Sequence, residues 1–184
     1  ASETGVIPEE ELAQARREMS PSQYAQEFDC DFAAAVDDAL VKLDVVLEAQ
    51  KRTLHESVYG GAPRVLGVDV ARYGDDRTVL FPRQGLVAFR PRILRGADTM
   101  SVAGQVAEMM DTWKPVTTFV DVGGIGAGVC DRLRQLQRKV VPVDFGSRPT
   151  DARYENKRAE MWWTMAEWLQ QGCIPSLPEV QQDL

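Results

Sequence analysis

From residue 64 onward the apolar residues of this chain change period again and again, and that succession leaves few folds open. Arg64-Val-Leu-Gly-Val-Asp-Val-Ala71 is a nearly continuous apolar run of strand length. Tyr73-Gly-Asp-Asp76 is a turn by composition, and Thr78–Phe81 and Gly85–Phe89 are two further short strands. Connections this short make the three an antiparallel meander. The period then lengthens: Val102, Val106, Met109, Met110 and Trp113 fall on one face of a helix predicted over 98–113. A strand over 117–122, a helix over 126–136, a strand over 139–144 and a long helix over 155–171, closed by Gly172, complete the series. The order β-β-β-α-β-α-β-α places the later strands in crossover units, which favour parallel pairing. The expected fold class is α/β: a mixed sheet in which a three-strand antiparallel meander is followed by parallel crossover strands, with helices on both faces.

With 184 residues, 44% hydrophobic and 27% charged, the chain has material for a real core. No stretch approaches the roughly 20 apolar residues that span a bilayer, and Ala1-Ser-Glu-Thr-Gly5 lacks the regions of a signal peptide, so a membrane or secreted protein is not expected. Cys30, Cys130 and Cys173 are odd in number and widely spaced, which suggests neither a disulfide framework nor a zinc site and fits a reducing cytoplasm. The single histidine, His55, lies among polar neighbours and reads as an exposed residue.

The net charge of −7 argues at first against a nucleic-acid partner, but it averages two unlike parts. Residues 1–63 carry 5 basic and 13 acidic groups, whereas residues 64–184 carry 16 and 15. In the acidic part, helices are expected over 7–19, from Ser20 and from Asp44, with a short strand over 28–32. It has too few large apolar residues for a core of its own and reads as a linker or the end of something larger.

Two aspartates stand out. Asp69 interrupts an apolar strand and Asp121 ends another, and a carboxylate in such a place is costly unless it meets a cation or several donors. If the two strands are neighbours the side chains converge, and hard oxygen ligands without histidine or thiolate point to Mg²⁺ or Mn²⁺. Either aspartate could instead cap a turn. Asp75 suits the turn itself, while Asp76 could fold back to the same ion. Gly124-Ile-Gly-Ala-Gly128 opens a helix after a strand, with Asp144 at the end of the next strand, as in a dinucleotide fingerprint. The third small residue is replaced by Val129, however, and an aspartate beside a pyrophosphate would repel it. The glycines more simply let the chain turn past Asp121 and let a helix N-terminus approach a phosphate. Lys157 and Arg158, near the start of the last helix, oppose its dipole, which phosphate binding would explain; a solvated face paired with Glu155 and Glu160 is the alternative. Trp162, Trp163, Met165, Ala166 and Leu169 read as packing residues.

Gly67-Val-Asp-Val-Ala-Arg-Tyr-Gly-Asp-Asp-Arg-Thr78, Val120-Asp-Val-Gly-Gly-Ile-Gly-Ala-Gly128, Val143-Asp-Phe-Gly-Ser147 and Tyr154-Glu-Asn-Lys-Arg-Ala-Glu-Met-Trp162, in this order, resemble the nuclease domain of the large terminase subunit of tailed bacteriophages. Met19–Phe32 resembles the segment that ends that family's ATPase domain. The resemblance implies an RNase H-like fold, with residues 1–48 the end of an ATPase domain or linker and 49–184 a C-terminally truncated nuclease domain. It implies a metal-dependent endonuclease that cuts concatemeric double-stranded viral DNA with two Mg²⁺ or Mn²⁺ ions. Asp69 and Asp121 would be the catalytic metal ligands and Asp76 an accessory one; the family's last acid lies beyond Leu184. Arg148, Lys157 and Arg158 would hold the DNA backbone. The implied partners are viral DNA, the ATPase domain of the same polypeptide, the small terminase subunit and the portal protein, in the host cytoplasm rather than the mature virion. A DNA-gripping or docking module with an incomplete metal site, or another RNase H-like nuclease such as a junction resolvase, are the alternatives.

Overall fold

The computed structural model describes residues 14–15, 39–71, 77–178 and 180. The chain divides into two compact units, Ala1–Val46 and Leu47–Leu184. In the first, Gln14 and Ala15 are helical and helix α1 (Leu43–Lys51) begins; the other elements expected over 7–38 lie outside the described residues.

The second unit is built on a six-stranded sheet: β1 (Arg64–Asp69), β2 (Arg77–Gln84), β3 (Val87–Ala88), β4 (Arg92–Arg95), β5 (Thr117–Asp121) and β6 (Val141–Val143). The strand order is β3-β2-β1-β5-β6, with β4 also paired to β2. β1, β2 and β3 are antiparallel in succession, while β5 and β6 run parallel to β1, giving the mixed sheet expected from the sequence. Among the described residues it is accompanied by the short α2 (Glu56–Tyr59), α3 (Thr99–Trp113), α4 (Gly126–Gln135) and α5 (Lys157–Leu169).

Alternation along the strands decides what each face does. Leu66, Val68, Val70, Leu80 and Val120 are buried on one face against Val102, Ala103 and Val106 of α3 and Val129, Cys130 and Leu133 of α4. Each leucine or valine among them contributes about 1.5–3 kcal/mol by leaving water. Both crossovers, β1 to β5 through α3 and β5 to β6 through α4, step in the same direction along the sheet, so a right-handed path lays both helices on the same face. Asp98 fixes the start of α3, its Oδ1 accepting from the N–H groups of Met100 and Ser101 at 2.8 and 2.9 Å. On the opposite face lies Arg83, whose guanidinium stacks 5.7 Å from the ring centroid of Trp168 near the end of α5. Trp168 Nε1 also donates to the Gly85 carbonyl at 3.1 Å.

β4 is an element the sequence reading left out. Its inclusion gives β2 two successive partners on one edge: β4 along Arg77–Leu80 and β3 at Arg83–Gln84. Pro82 sits between them. A strand residue directs its N–H and C=O to the same edge, and the Pro82 carbonyl accepts from Phe89 N–H at 2.9 Å, on the outer edge. The missing proline N–H therefore falls in the gap between β4 and β3 and breaks no ladder with β1. His55 is exposed, as expected, and caps α2 by accepting from Ser57 N–H. Among the described residues no helix is long and apolar enough to cross a membrane.

Candidate active site

Asp69 and Asp121 come together because of strand register. β1 and β5 are parallel neighbours, paired from Val65↔Thr117 to Val68↔Val120, so one residue further brings Asp69 level with Asp121 at the C-terminal ends of both strands. Adjacent strands lie about 4.8 Å apart. Val68 and Val120 are buried beneath α3 and α4, so both aspartates project from the other face. The chain leaves β1 toward β2 and leaves β5 toward β6, in opposite directions. Such a divergence at the carboxyl ends of parallel strands is the position at which α/β sheets commonly receive ligands.

The loop after β5 shapes the carboxylate of Asp121. Its Oδ1 accepts from Gly123 N–H at 2.8 Å, an Asx turn that orients the side chain, while Oδ2 makes no hydrogen bond among the described residues. A Cβ on Gly123 would stand 3.1 Å from Oδ1 and 3.6 Å from Oδ2, so glycine there keeps both oxygens uncovered. Gly126, the first residue of α4, lies so close to the end of β5 that a Cβ would come within 1.8 Å of the Asp121 carbonyl oxygen. Gly124, at φ 107°, makes the turn between them. The glycines thus serve the close approach of α4 to Asp121, and Ile125, at the N-cap position just before α4, provides no side-chain cap.

Two carboxylates level at one sheet end, with glycine leaving the oxygens of Asp121 open, are the type of oxygen donor that hard cations take. Among the described residues no group of three or more histidine, cysteine, aspartate or glutamate side chains is assembled. Asp75 and Asp76 lie outside the described residues; Asp76 precedes Arg77, the first residue of β2.

In the basic segment the pairing with Glu160, one of the two alternatives, is formed. Lys157 forms an ion pair with Glu160 and donates to Thr150 Oγ1 at 2.8 Å. Glu160 also accepts from the N–H groups of Thr150 and Asp151, at 3.0 and 3.2 Å, so Lys157 and Glu160 clamp the preceding loop onto α5. Lys157 and Arg158 donate their backbone N–H groups to Ser147 and Phe145, and Asn156 Oδ1 caps Ala159 N–H, so the first turn of α5 is satisfied within the protein. The Arg158 guanidinium lies 5.7 Å from the Phe145 ring centroid, and Arg148 is exposed. Ala166 and Leu169 are buried as expected, whereas Trp162 and Trp163 are exposed at 39% and 49%. The sequence reading also missed Arg77 and Arg95, which stand directly opposite each other across β2 and β4. Recognising β4 is what reveals that pair.

No family model matches the sequence, and neither does any curated protein. Solved structures do. The nuclease domain of the large terminase subunit gp2 of bacterial virus Sf6 superposes with a TM-score of 0.59 at 17% identity, over 78% of each chain. Its fold is that of a terminase nuclease domain. A K428A mutant of the Sf6 domain with manganese and beta-thujaplicinol gives 0.58 at 16% identity, again over 78% of each chain. The large terminase nuclease from thermophilic phage G20c with bound magnesium gives 0.55 at 12%, over 67% of this chain and 64% of that one. At such identities the likeness establishes the RNase H-like terminase fold, and the chemistry must be argued from this chain's own residues.

Proposed function

We propose that the chain is the nuclease part of a large terminase subunit, a metal-dependent endonuclease that cuts concatemeric double-stranded viral DNA during packaging. The observation that carries this reading is the level placement of Asp69 and Asp121 at the diverging ends of β1 and β5. On this reading residues 1–48 are the end of the ATPase domain and 49–184 the nuclease domain, working in the host cytoplasm with the small terminase subunit and the portal protein.

Asp69 and Asp121 would hold divalent ions, Mg²⁺ or Mn²⁺, with Asp76 as an accessory ligand; solved neighbours carry magnesium or manganese. Bound divalent ions supply an acidified water and neutralise charge on a leaving oxygen. The protein's own contribution is placement. Gly123 N–H fixes one oxygen of Asp121 and leaves the other for ligation, Gly126 lets the N-terminus of α4 close on the same strand end, and Asp69 is held level by the β1–β5 ladder. Arg148 and Arg158 would contact backbone phosphates, giving affinity with little sequence preference. Lys157 would reach a phosphate only by releasing Glu160.

Metal-dependent stability tests this reading. Mn²⁺ at about 100 times its Kd should stabilise the folded chain by about 2.7 kcal/mol, and Asp69→Asn or Asp121→Asn should remove most of the gain. An unchanged melting temperature at millimolar Mn²⁺ would instead favour the DNA-gripping module with an incomplete metal site.

A further inference from the structure

We infer that Arg77 and Arg95 form a phosphate-binding pair that positions the nucleic-acid strand beside Asp69 and Asp121. The inference rests on the nuclease reading of that site and adds the residues that hold its substrate.

The two arginines are register partners in the antiparallel β2–β4 ladder, so their side chains leave the sheet on the same side. That side can be identified twice over. In β2, Thr78 and Leu80 are buried on the helix-covered face, so Arg77 and Val79 belong to the other. In β4, Arg92 reaches the helix-covered face, where it donates to Gln105 and Glu108 of α3 at 2.9 and 2.7 Å, so Arg95, three residues on, faces away. Arg77 and Arg95 therefore share the face from which Asp69 and Asp121 project.

They also share its end. Asp69 is opposite Val79, and Arg77 lies two residues beyond Val79 in the direction in which β1 ends. With a rise of about 3.4 Å per residue and strands about 4.8 Å apart, the Cα atoms of Arg77 and Arg95 lie about 8 and 12 Å from that of Asp69. At about 3.4 Å of rise per nucleotide, this is roughly two to four nucleotides along one strand of a duplex.

Their company is the third observation. Like charges directly opposite each other in a sheet are destabilising. Arg92, the other arginine of β4, has a carboxylate partner in Glu108. Arg77 and Arg95 have no ion-pair or hydrogen-bond partner among the described residues. A polyanion crossing this face turns the repulsive pair into an attractive one, since each guanidinium can take a phosphate by its planar fork of donors.

The test is duplex binding without metal, measured by fluorescence anisotropy over a salt series, with plasmid nicking in Mn²⁺ run in parallel on the wild-type chain. Arg77→Gln/Arg95→Gln should lower the slope of log K against log salt by about 2 and weaken binding between roughly 10- and 100-fold at 0.1 M salt, while thermal stability stays level or rises. Arg77→Lys/Arg95→Lys should restore the slope, because charge sets it. Arg92→Gln, on the same strand but the other face, should leave the slope of the folded protein unchanged. An unaltered slope in the double glutamine variant overturns the inference and leaves the nuclease reading standing. A wild-type chain that binds no duplex overturns it as well. A lowered slope in a chain that does not nick supports the arginine pair while the nuclease reading fails.

Discussion

Gly126→Ala is the substitution through which the approach of α4 to Asp121 can be measured. The new Cβ would lie 1.8 Å from the Asp121 carbonyl oxygen and 2.9 Å from its carbonyl carbon, where real Cβ contacts are essentially never closer than 3.0 Å. Both atoms are backbone, so no rotamer change relieves the contact; the helix start and the strand end must separate by more than about 1 Å. Overpacking of this kind costs about 1–3 kcal/mol, against about 1 kcal/mol gained by alanine over glycine in a helix. With a clash this deep the upper end applies, and a net loss of about 2 kcal/mol is expected. Gly128→Ala is its partner: two residues along the same helix, a Cβ meets nothing within 4 Å, so only the propensity gain, up to about 1 kcal/mol, remains. At about 3 °C per kcal/mol, thermal melts should place Gly126→Ala roughly 6 °C below the wild type and Gly128→Ala up to about 3 °C above it. Nicking by Gly126→Ala should also fall by about 100-fold, the scale of a 1 Å misplacement at a reacting centre. A Gly126→Ala chain as stable as Gly128→Ala would refute the packing on which the placement of Asp121 depends.

The clamp on α5 should show in acid. Glu160 is held below the ordinary glutamate pKa of 4.5, first by the Lys157 hydrogen bond and then by Thr150 N–H. The unfolded chain thus binds more protons, so the clamp's stabilisation is complete above that pH and is lost as the pH falls through the lower folded value. Urea melts from about pH 5 to pH 3 should lose stability less steeply in Glu160→Gln than in the wild type; equal slopes would contradict the clamp. Asp121→Asn, whose Oδ1 can still accept from Gly123 N–H, should leave the metal-free melting temperature unchanged or higher, since it also removes a negative charge level with Asp69. A clear drop would mean that Asp121 serves mainly to hold the turn.

The mixed sheet was legible in the sequence because burial and period coincide in its strands: Leu66, Val68 and Val120 are apolar, alternate, and face the helices. Asp69 and Asp121 drew attention as carboxylates in apolar runs, but Asp69 was read as interrupting its strand, whereas β1 ends at it just as β5 ends at Asp121. β4 was not legible, because Arg92-Ile-Leu-Arg95 is four residues long, follows Pro91, and is a strand only through its pairing with the far-off Arg77–Leu80 of β2. The role of Lys157 was hidden too: its partner Glu160 is a local neighbour in sequence, but the Thr150 and Asp151 N–H groups that complete the clamp come from a loop whose path the sequence does not dictate. Trp162 and Trp163 were placed in the packed stripe by helical spacing alone, yet burial also requires an element to pack against, and Ala166 and Leu169 are where α5 meets one.

Nicking of supercoiled plasmid in Mn²⁺ or Mg²⁺ tests the central claim most directly, with the wild-type chain compared with Asp69→Asn and Asp121→Asn chains shown by their melts to be folded. The wild type should convert plasmid to open-circular and linear forms only when the divalent ion is present, and both variants should lose nearly all of this activity. Cutting by either folded variant at the wild-type rate would remove that aspartate from the site, and with it the reading of this sheet end as a nuclease centre.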